Sequence, residues 1–497
     1  MHALSTYRGG WIKQLLFGLI VLMMVLPALQ SNFSFIAESP LTGSFTVSAS
    51  PSLDSLTFIS WIDGSFQKEY NKNLEAHIGF HNSLVRLNNQ WQYSFFRKAN
   101  AEGVIVGKHA ELFEEDYIRA ATGEFFVGHD VWQQKAVKLK AIQDTLQSLG
   151  KTLLVVFEPG KGSVYADLYP AKYRGKNEVS NYWSFVSSLD SLNVNNLDLN
   201  ACFVQWRDDL PYRLFPRTGT HWSYYGAALA ADTTLRHLNT FFEGKIPMLV
   251  MDSLFQRNEP RHPDDDIWLA MNLLTKVPYE NLAYPALHFE PVDQPKIKAL
   301  VVGDSFYFNW QSDKIMLNAF ADCNFWYYNK HVFSQNGVET GMVADLNFSD
   351  EILNSDLIMI MITERFHQNF AWRFDEQLFS YLFPEKQINF LDFFANRIRV
   401  SNEEFLRLVD DAQKKNVSLQ DRLIQEAKYL MYEDHQKNPN KYVQKEDLIM
   451  MLMMSIEGTP DWFAKIKVKA AERNISVNEM LKLDAEWVYN QKYGVKN

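Results

Sequence analysis

Lys298-Ala-Leu-Val-Val-Gly-Asp-Ser-Phe-Tyr307 is the stretch on which the reading of this chain turns. Its Ala, Leu and Val residues form an unbroken apolar run, as expected of a parallel strand buried on both faces. The run stops at Gly303, and Asp304 and Ser305 follow. Open α/β sheets collect functional side chains just past the carboxyl ends of their strands, so Ser305 stands where a nucleophile would be presented. Gly-Asp-Ser alone is a weak signal, because three residues recur by chance. The partner that strengthens it is Thr220-His221-Trp222, far upstream.

Outward from this strand the same pattern repeats. Thr152-Leu-Leu-Val-Val-Phe157 is a second buried strand, which empties into the loop Glu158-Pro-Gly-Lys-Gly162. Residues 104–106, 201–204, 325–328, 357–362 and 388–390 are further strand candidates. Helical spacing links Val131, Lys135, Leu139, Ile142, Leu146 and Leu149, with Gly150 as a cap beyond the end. Gly226-Ala-Ala-Leu-Ala-Ala231 opens a helix whose small residues can approach a sheet closely. Alternating strands and helices with apolar strands predict an α/β fold, a mostly parallel sheet covered on both faces.

The ends differ in character. Arg8 and Lys13 precede an apolar run over residues 15–29, and no charge occurs from Gln14 to Ala37. Residues 1–30 read as a membrane anchor or a signal peptide, with positive charge on the cytoplasmic side and the bulk of the chain exported. A linker follows over 31–59. From Trp61 to Arg97, Phe66, Tyr70, Leu74, Ile78, Leu84, Leu87 and Trp91 share a stripe of a helical pair broken at Gly79. Residues 396–497 read as helix only. Residues 448–454, rich in Met, are too short to span a bilayer and are expected to be buried.

The totals narrow the function. A chain of 497 residues is too long for one ordinary core. A net charge of −10 disfavours binding driven by nucleic-acid phosphates. The 36 Phe, 22 Tyr and 13 Trp suit either dense packing or a surface on which sugars stack. Cys202 and Cys323, the only two cysteines, lack metal-ligand spacing and are read as buried free thiols on strands. No metal site is expected, since the acidic run His262-Pro-Asp-Asp-Asp266 reads as a solvated loop.

A serine hydroxyl needs a base, and imidazole is the usual one because its pKa lies near working pH. Of 12 histidines only His221 sits in a site-like context, where a loop enters the small-residue helix. Asn309 is a candidate side-chain donor to an oxyanion, beside the backbone N–H of Ser305. Lys161 and Tyr165 follow a strand end and are candidates for a pocket lining. Glu364 and Arg365 follow the strand at 357–362 and are read as an ion pair, either a local surface pair or one that orients the site. Trp222, Tyr224, Tyr225, Tyr307 and Trp310 cluster around both blocks, either as sugar platforms or as core.

Taken together, residues 104–107, Phe157-Glu-Pro-Gly-Lys161 with Val164-Tyr165, Gly219-Thr-His-Trp222 and Gly303-Asp-Ser-Phe306 resemble the alginate O-acetyltransferase family. The resemblance spans roughly residues 60–395. It implies a three-layer, SGNH-hydrolase-like domain in permuted order, with the histidine block ahead of the serine block. It also implies acetylation of an exopolysaccharide outside the cytoplasm, without a cofactor, and a multi-pass membrane acyltransferase as the source of acetyl groups. The setting implied is a single-pass protein of the inner membrane with its bulk in the periplasm. By position, Ser305 resembles the nucleophile and His221 its base, while Asp304 is expected to hold the turn around Ser305. One departure stands out: the family places an aspartate two residues before the histidine, and this chain has Gly219 there. Asp208, Asp209 and Glu364 are the candidates to stand in for the missing carboxylate, and a Ser–His dyad without one remains chemically workable. An acetylesterase and a non-catalytic carbohydrate-binding subunit remain as alternatives.

Overall fold

The computed structural model describes residues 10–43, 56–173, 179–257, 259–276, 282–384, 389–438, 441–442 and 444–493. Eleven strands are present among them: β1 (Val104–Val106), β2 (Leu112–Glu114), β3 (Thr152–Glu158), β4 (Asn196–Asp198), β5 (Leu249–Arg257), β6 (Leu282–Phe289), β7 (Lys298–Gly303), β8 (Asp322–Tyr327), β9 (His331–Phe333), β10 (Glu339–Met342) and β11 (Leu357–Thr363).

Seven of them form the central sheet, in the order β10-β9-β8-β7-β11-β3-β4. Neighbours from β8 through β4 are parallel, and β9 and β10 close one edge as antiparallel strands. Residues alternate across the sheet, as pleating requires. Leu153, Val155 and Phe157 of β3, Leu300 and Val302 of β7 and Ile358, Ile360 and Ile362 of β11 face one core. Leu154, Val156, Ala299, Val301, Met359 and Met361 face the other. Both faces of the strands are thus buried in helices, which is why the sequence shows continuous apolar runs rather than alternation.

The helices His129–Ser148, Asn181–Ser191, Phe390–Val400 and Asn402–Lys415 contribute to the first core. The helices Leu199–Trp206, Tyr224–Asn239 and Tyr307–Ser312 contribute to the second. Three layers result. In His129–Ser148 Lys135, the polar exception in the predicted stripe, is also buried, and its ammonium pairs with Asp375 at 2.5 Å.

Two strand assignments are corrected. Residues 201–204 lie in the helix Leu199–Trp206, started by the Asp198 carboxylate accepting from Ala201 N–H. Four apolar residues do not distinguish a strand from one turn of helix, and the cap decides it. Cys202 accordingly sits on a helix and is only partly buried, whereas Cys323 is buried on β8. Phe390 begins a helix capped by Asn389, and Ile388 lies outside the described residues. Two antiparallel ribbons stand apart from the main sheet, β1–β2 and β5–β6. The second was not foreseen.

The termini are helical. α1 (Gly10–Phe33) includes one segment, Trp11–Phe33, long and apolar enough to cross a membrane, and its apolar 18-residue stretch is not buried in the protein, whereas Gln30 near its end is. At 24 residues it extends about 36 Å, enough for a hydrocarbon core and longer than the apolar run alone suggested. Three further helices follow: α2 (Phe58–Ile62), α3 (Ser65–His77) and α4 (His81–Phe96). Their stripe, predicted for helix pairing, stays outside: Tyr70, Leu74, Ile78, Leu84, Leu87 and Trp91 are all exposed.

Residues 34–43 run along α4, where Arg86 donates to the carbonyls of Ser39 and Pro40 and Ser83 N–H donates to Glu38. They end with Thr42 N–H donating to Asn272 at 2.9 Å, just past the helix Asp266–Ala270. At the other end, the described residues from Phe390 onward form helices without strands. The last three, Lys445–Glu457, Pro460–Arg473 and Val477–Tyr493, share a small core built on Ile449, Ile456, Ile466 and Met480.

Candidate active site

β7, β11 and β3 end side by side, and the site is assembled on their carboxyl ends. Asp304, the first residue beyond β7, is fully buried and ties these ends together. Its carboxylate accepts from Phe306 N–H at 3.1 Å, which fixes the turn carrying Ser305. It also accepts from Thr363 N–H at 3.0 Å and from the Thr363 hydroxyl at 2.7 Å, at the end of β11. Glu158, at the end of β3, is fully buried beside it. Burial first, and the Asp304 carboxylate second, push Glu158 far above the usual carboxylate range, so it keeps its proton.

Ser305 is half-buried, and its Oγ lies 2.8 Å from His221 Nε2. His221 Nδ1 lies 2.7 Å from Asp266 Oδ2. With Nδ1–H donating to the carboxylate, Nε2 is left free to accept from the serine hydroxyl. Asp266 also accepts from Thr220 N–H at 2.8 Å and from its own helix at Ile267 N–H, 2.7 Å. One carboxylate thus fixes both the backbone and the ring of the histidine block. Phe306 packs against the imidazole, with centroids 5.0 Å apart.

This arrangement replaces the expectation of a solvated acidic loop at residues 262–266. The run lies between β5 and β6, with Asp264 fully buried and Asp266 on the imidazole. It also accounts for Gly219. A Cβ there would come within 2.7 Å of the Asp264 carbonyl, so a side chain at 219 would displace the segment that carries Asp266. Of the carboxylates expected to stand in, Asp208 pairs with Arg207, and Glu364 is buried and accepts from the Ser163 hydroxyl. An aspartate 45 residues after the histidine, inside a run of three, gave no spacing signal. The available hint was the apolar Ile267-Trp-Leu-Ala270 directly behind it, which buries one side of the helix.

The remaining residues fall into place as follows. Lys161 is buried and does not line an open pocket. Its ammonium donates to the carbonyls of Leu112 and Pro216 at 2.7 Å and Gly219 at 2.8 Å, and pairs with Glu111 at 3.0 Å. It clamps the loop leading to His221. Tyr165 is buried against Phe215 and beneath the guanidinium groups of Arg207 and Arg213.

Trp222, Tyr224, Tyr225, Tyr307 and Trp310 are all buried, which removes them as sugar platforms. Trp222 donates to the Phe306 carbonyl at 3.2 Å and stacks on Trp310 at 5.4 Å, supporting the site from below. Glu364 and Arg365 do not form the expected pair, since Arg365 is bonded to Glu114 instead. Asn309, one helical turn past Ser305, is buried with neither side-chain amide atom hydrogen-bonded. Among the described residues no cluster of three or more His, Cys, Asp or Glu has the arrangement of a metal site.

Burial raises Asp264 to about 7, the neighbouring Asp266 and Asp265 adding to the effect, while Tyr284 donates to it at 2.7 Å and opposes it. The folded protein therefore holds this proton up to about pH 7, whereas an unfolded chain releases it near pH 4. The stabilisation is fully present below about pH 4 and is lost as pH rises to about 7. Asp264→Asn, which mimics the protonated form, is expected to remove a decline on the order of 3 kcal/mol across this window. Urea unfolding of both proteins from pH 4.5 to 7.5 checks it, and parallel curves would refute it.

Residues 104–247 match the family model for the SGNH hydrolase-like domain of the acetyltransferase AlgX, a match that contains His221 and stops before Ser305. The chain is 28% identical over 169 residues to the probable alginate O-acetylase AlgJ of Pseudomonas putida. That match covers 32% of this chain and 41% of the relative, so less than half of the relative's length is represented. The O-acetyltransferase domain of P. putida AlgJ superimposes with a TM-score of 0.38 at 19% identity, covering 57% of this chain and 99% of that one. Pseudomonas aeruginosa AlgX gives 0.38 at 18% identity, over 58% and 69%. Over residues 104–247 the chain is thus similar to the SGNH hydrolase-like domain of the acetyltransferase AlgX, and over 169 residues to the probable alginate O-acetylase AlgJ.

Proposed function

We propose that this protein is a membrane-anchored, extracytoplasmic O-acetyltransferase that acts on a polysaccharide through an acetyl-serine intermediate. The observation that carries the reading is the unbroken relay from Asp266 through His221 to Ser305 at the rim of the sheet. Ser305 Oγ attacks the carbonyl carbon of an acetyl donor while its proton passes to His221 Nε2. Asp266 steadies the imidazolium, and the negative charge on the attacked oxygen is taken by the Ser305 backbone N–H and the Asn309 side chain. Collapse breaks the bond to the donor, whose leaving atom receives the proton from His221. A sugar hydroxyl then attacks the acetyl-serine, giving its proton to Nε2. The second collapse frees the sugar ester and returns the proton to Ser305.

Alginate or a related uronate polymer is the acceptor class suggested by the relatives' names. The acetyl donor is supplied by a multi-pass membrane acyltransferase, and α1 keeps the domain beside it, with Arg8 and Lys13 on the cytoplasmic side. No cofactor takes part. The test uses the full chain in lipid nanodiscs with a chromogenic acetyl ester, with and without alginate oligosaccharides. Acetylated oligosaccharide is the expected product by mass spectrometry. Free acetate alone at saturating acceptor would make the protein an esterase, and failure to acetylate Ser305 would leave only a carbohydrate-binding role.

A further inference from the structure

α2 and α3 bury none of their residues. Phe58 is 80% exposed, Ile62 67% and Trp61 57%, and Ile59, Tyr70 and Leu74 are also open. On α3, Phe66, Tyr70 and Leu74 recur every four residues along one face, with Lys68, Glu69 and Lys72 between them and Glu75 just beyond. Helices of a water-soluble domain bury such a stripe, so its place in the molecule matters.

That place is the outer end of α1. Gly79, directly after α3, lies so close to α1 that a Cβ would fall 2.2 Å from the Pro27 carbonyl and 2.7 Å from Ser31 N. Ser31 donates to the His77 carbonyl at 3.0 Å, and the Phe35 and Phe80 rings meet edge to face at 5.9 Å. The carboxyl end of α3 is therefore level with the last turns of the apolar helix, where a bilayer gives way to headgroups. From the same corner α4 leads away to the sheet domain, where Asn89 donates to the Met271 carbonyl at 2.9 Å.

We infer that α2 and α3 form an interfacial foot, laid in the headgroup region of the outer leaflet with Phe58, Ile59, Trp61, Ile62, Tyr70 and Leu74 toward the acyl chains. The inference rests on the reading of α1 as a membrane span. Aromatic rings are favoured at this depth, since they present an apolar body and a polar edge to a graded environment. Amphipathic helices bind there through their apolar face, and Lys68 and Lys72 are placed to meet lipid phosphates. A foot of this kind fixes the rotation and tilt of the domain above the membrane, which a single helix leaves free.

The experiment uses the full chain carrying Cys202→Ser, reconstituted in phosphatidylethanolamine–phosphatidylglycerol vesicles. Leu19→Cys, Trp61→Cys, Tyr70→Cys and, as a remote exposed control, Leu353→Cys are each labelled with an environment-sensitive fluorophore. Headgroup-level nitroxide lipids are expected to quench the labels at 61 and 70 at least about threefold more than the label at 353. Quenching at 61 and 70 no greater than at 353, with the label at 19 in lipid, would overturn the foot and leave the anchor standing. A label at 19 outside lipid would overturn both. Shielding that appears only when a multi-pass membrane protein is co-reconstituted would assign the stripe to a protein partner and overturn the lipid assignment. Melting curves of each variant exclude misfolding, and Ile62→Cys stands in for Trp61→Cys if that variant is unstable.

Discussion

Ser305→Ala is expected to lower acetyl transfer by roughly 10³–10⁴-fold or more, with the fold intact. The side chain lost is one hydroxyl, half-buried, whose bond runs to a ring nitrogen that water can then reach. The turn is held by Asp304 and Thr363 rather than by Ser305, so the melting temperature should move by a few degrees at most. His221→Ala is expected to fall to the same floor, and the double variant no lower, because residues that act as one unit lose their effect together. Single-turnover acetylation followed by mass spectrometry of the Ser305 peptide measures this directly. Undiminished activity in Ser305→Ala would exclude it as the nucleophile.

Asp266→Asn carries the second large effect. The asparagine keeps the size of the side chain and can still accept from Thr220 N–H and Ile267 N–H, but it presents an amide to Nδ1. If the amide N–H faces the ring, Nδ1 must become the acceptor and Nε2 the donor, which is the wrong tautomer for deprotonating Ser305. A drop of about 10³–10⁴-fold in kcat is expected, with little change in KM for the acetyl donor. Asp208→Asn, Asp209→Asn and Glu364→Gln should show no comparable loss, since none of them touches the imidazole. A reversed ranking would mean that the relay is rebuilt in the working enzyme.

What could be read from the sequence follows from how each element is buried. β3, β7 and β11 announce themselves because helices cover both of their faces, leaving unbroken apolar runs. β5 is largely open, so neither an apolar run nor a clear alternation marks it, and the apolar run of β6 is interrupted by Pro285, which argues against a strand. The serine and histidine were legible because each sits at the junction of a recognisable element. Asp266 was not, because its role comes from a close approach between two chain segments, permitted by the missing side chain at Gly219. The aromatic residues near the site show the same limit. Composition flags them, but only packing reveals that Trp222 and Trp310 stack beneath the turn that carries Ser305.

The strap formed by residues 34–43 sets a scale for the whole molecule. It leaves the end of α1 and is fastened at Thr42 beside the helix that carries Asp266. Thr42 lies eight positions after Ser34, a reach of roughly 30 Å at full stretch. With α1 in a bilayer, that length limits how far the helix Asp266–Ala270 can stand from the lipid, and under the proposed function it bounds the gap an acetyl group has to cross. A polymer emerging nearby would pass through the same narrow zone, so lengthening the leash should slow modification even where the chemistry is untouched.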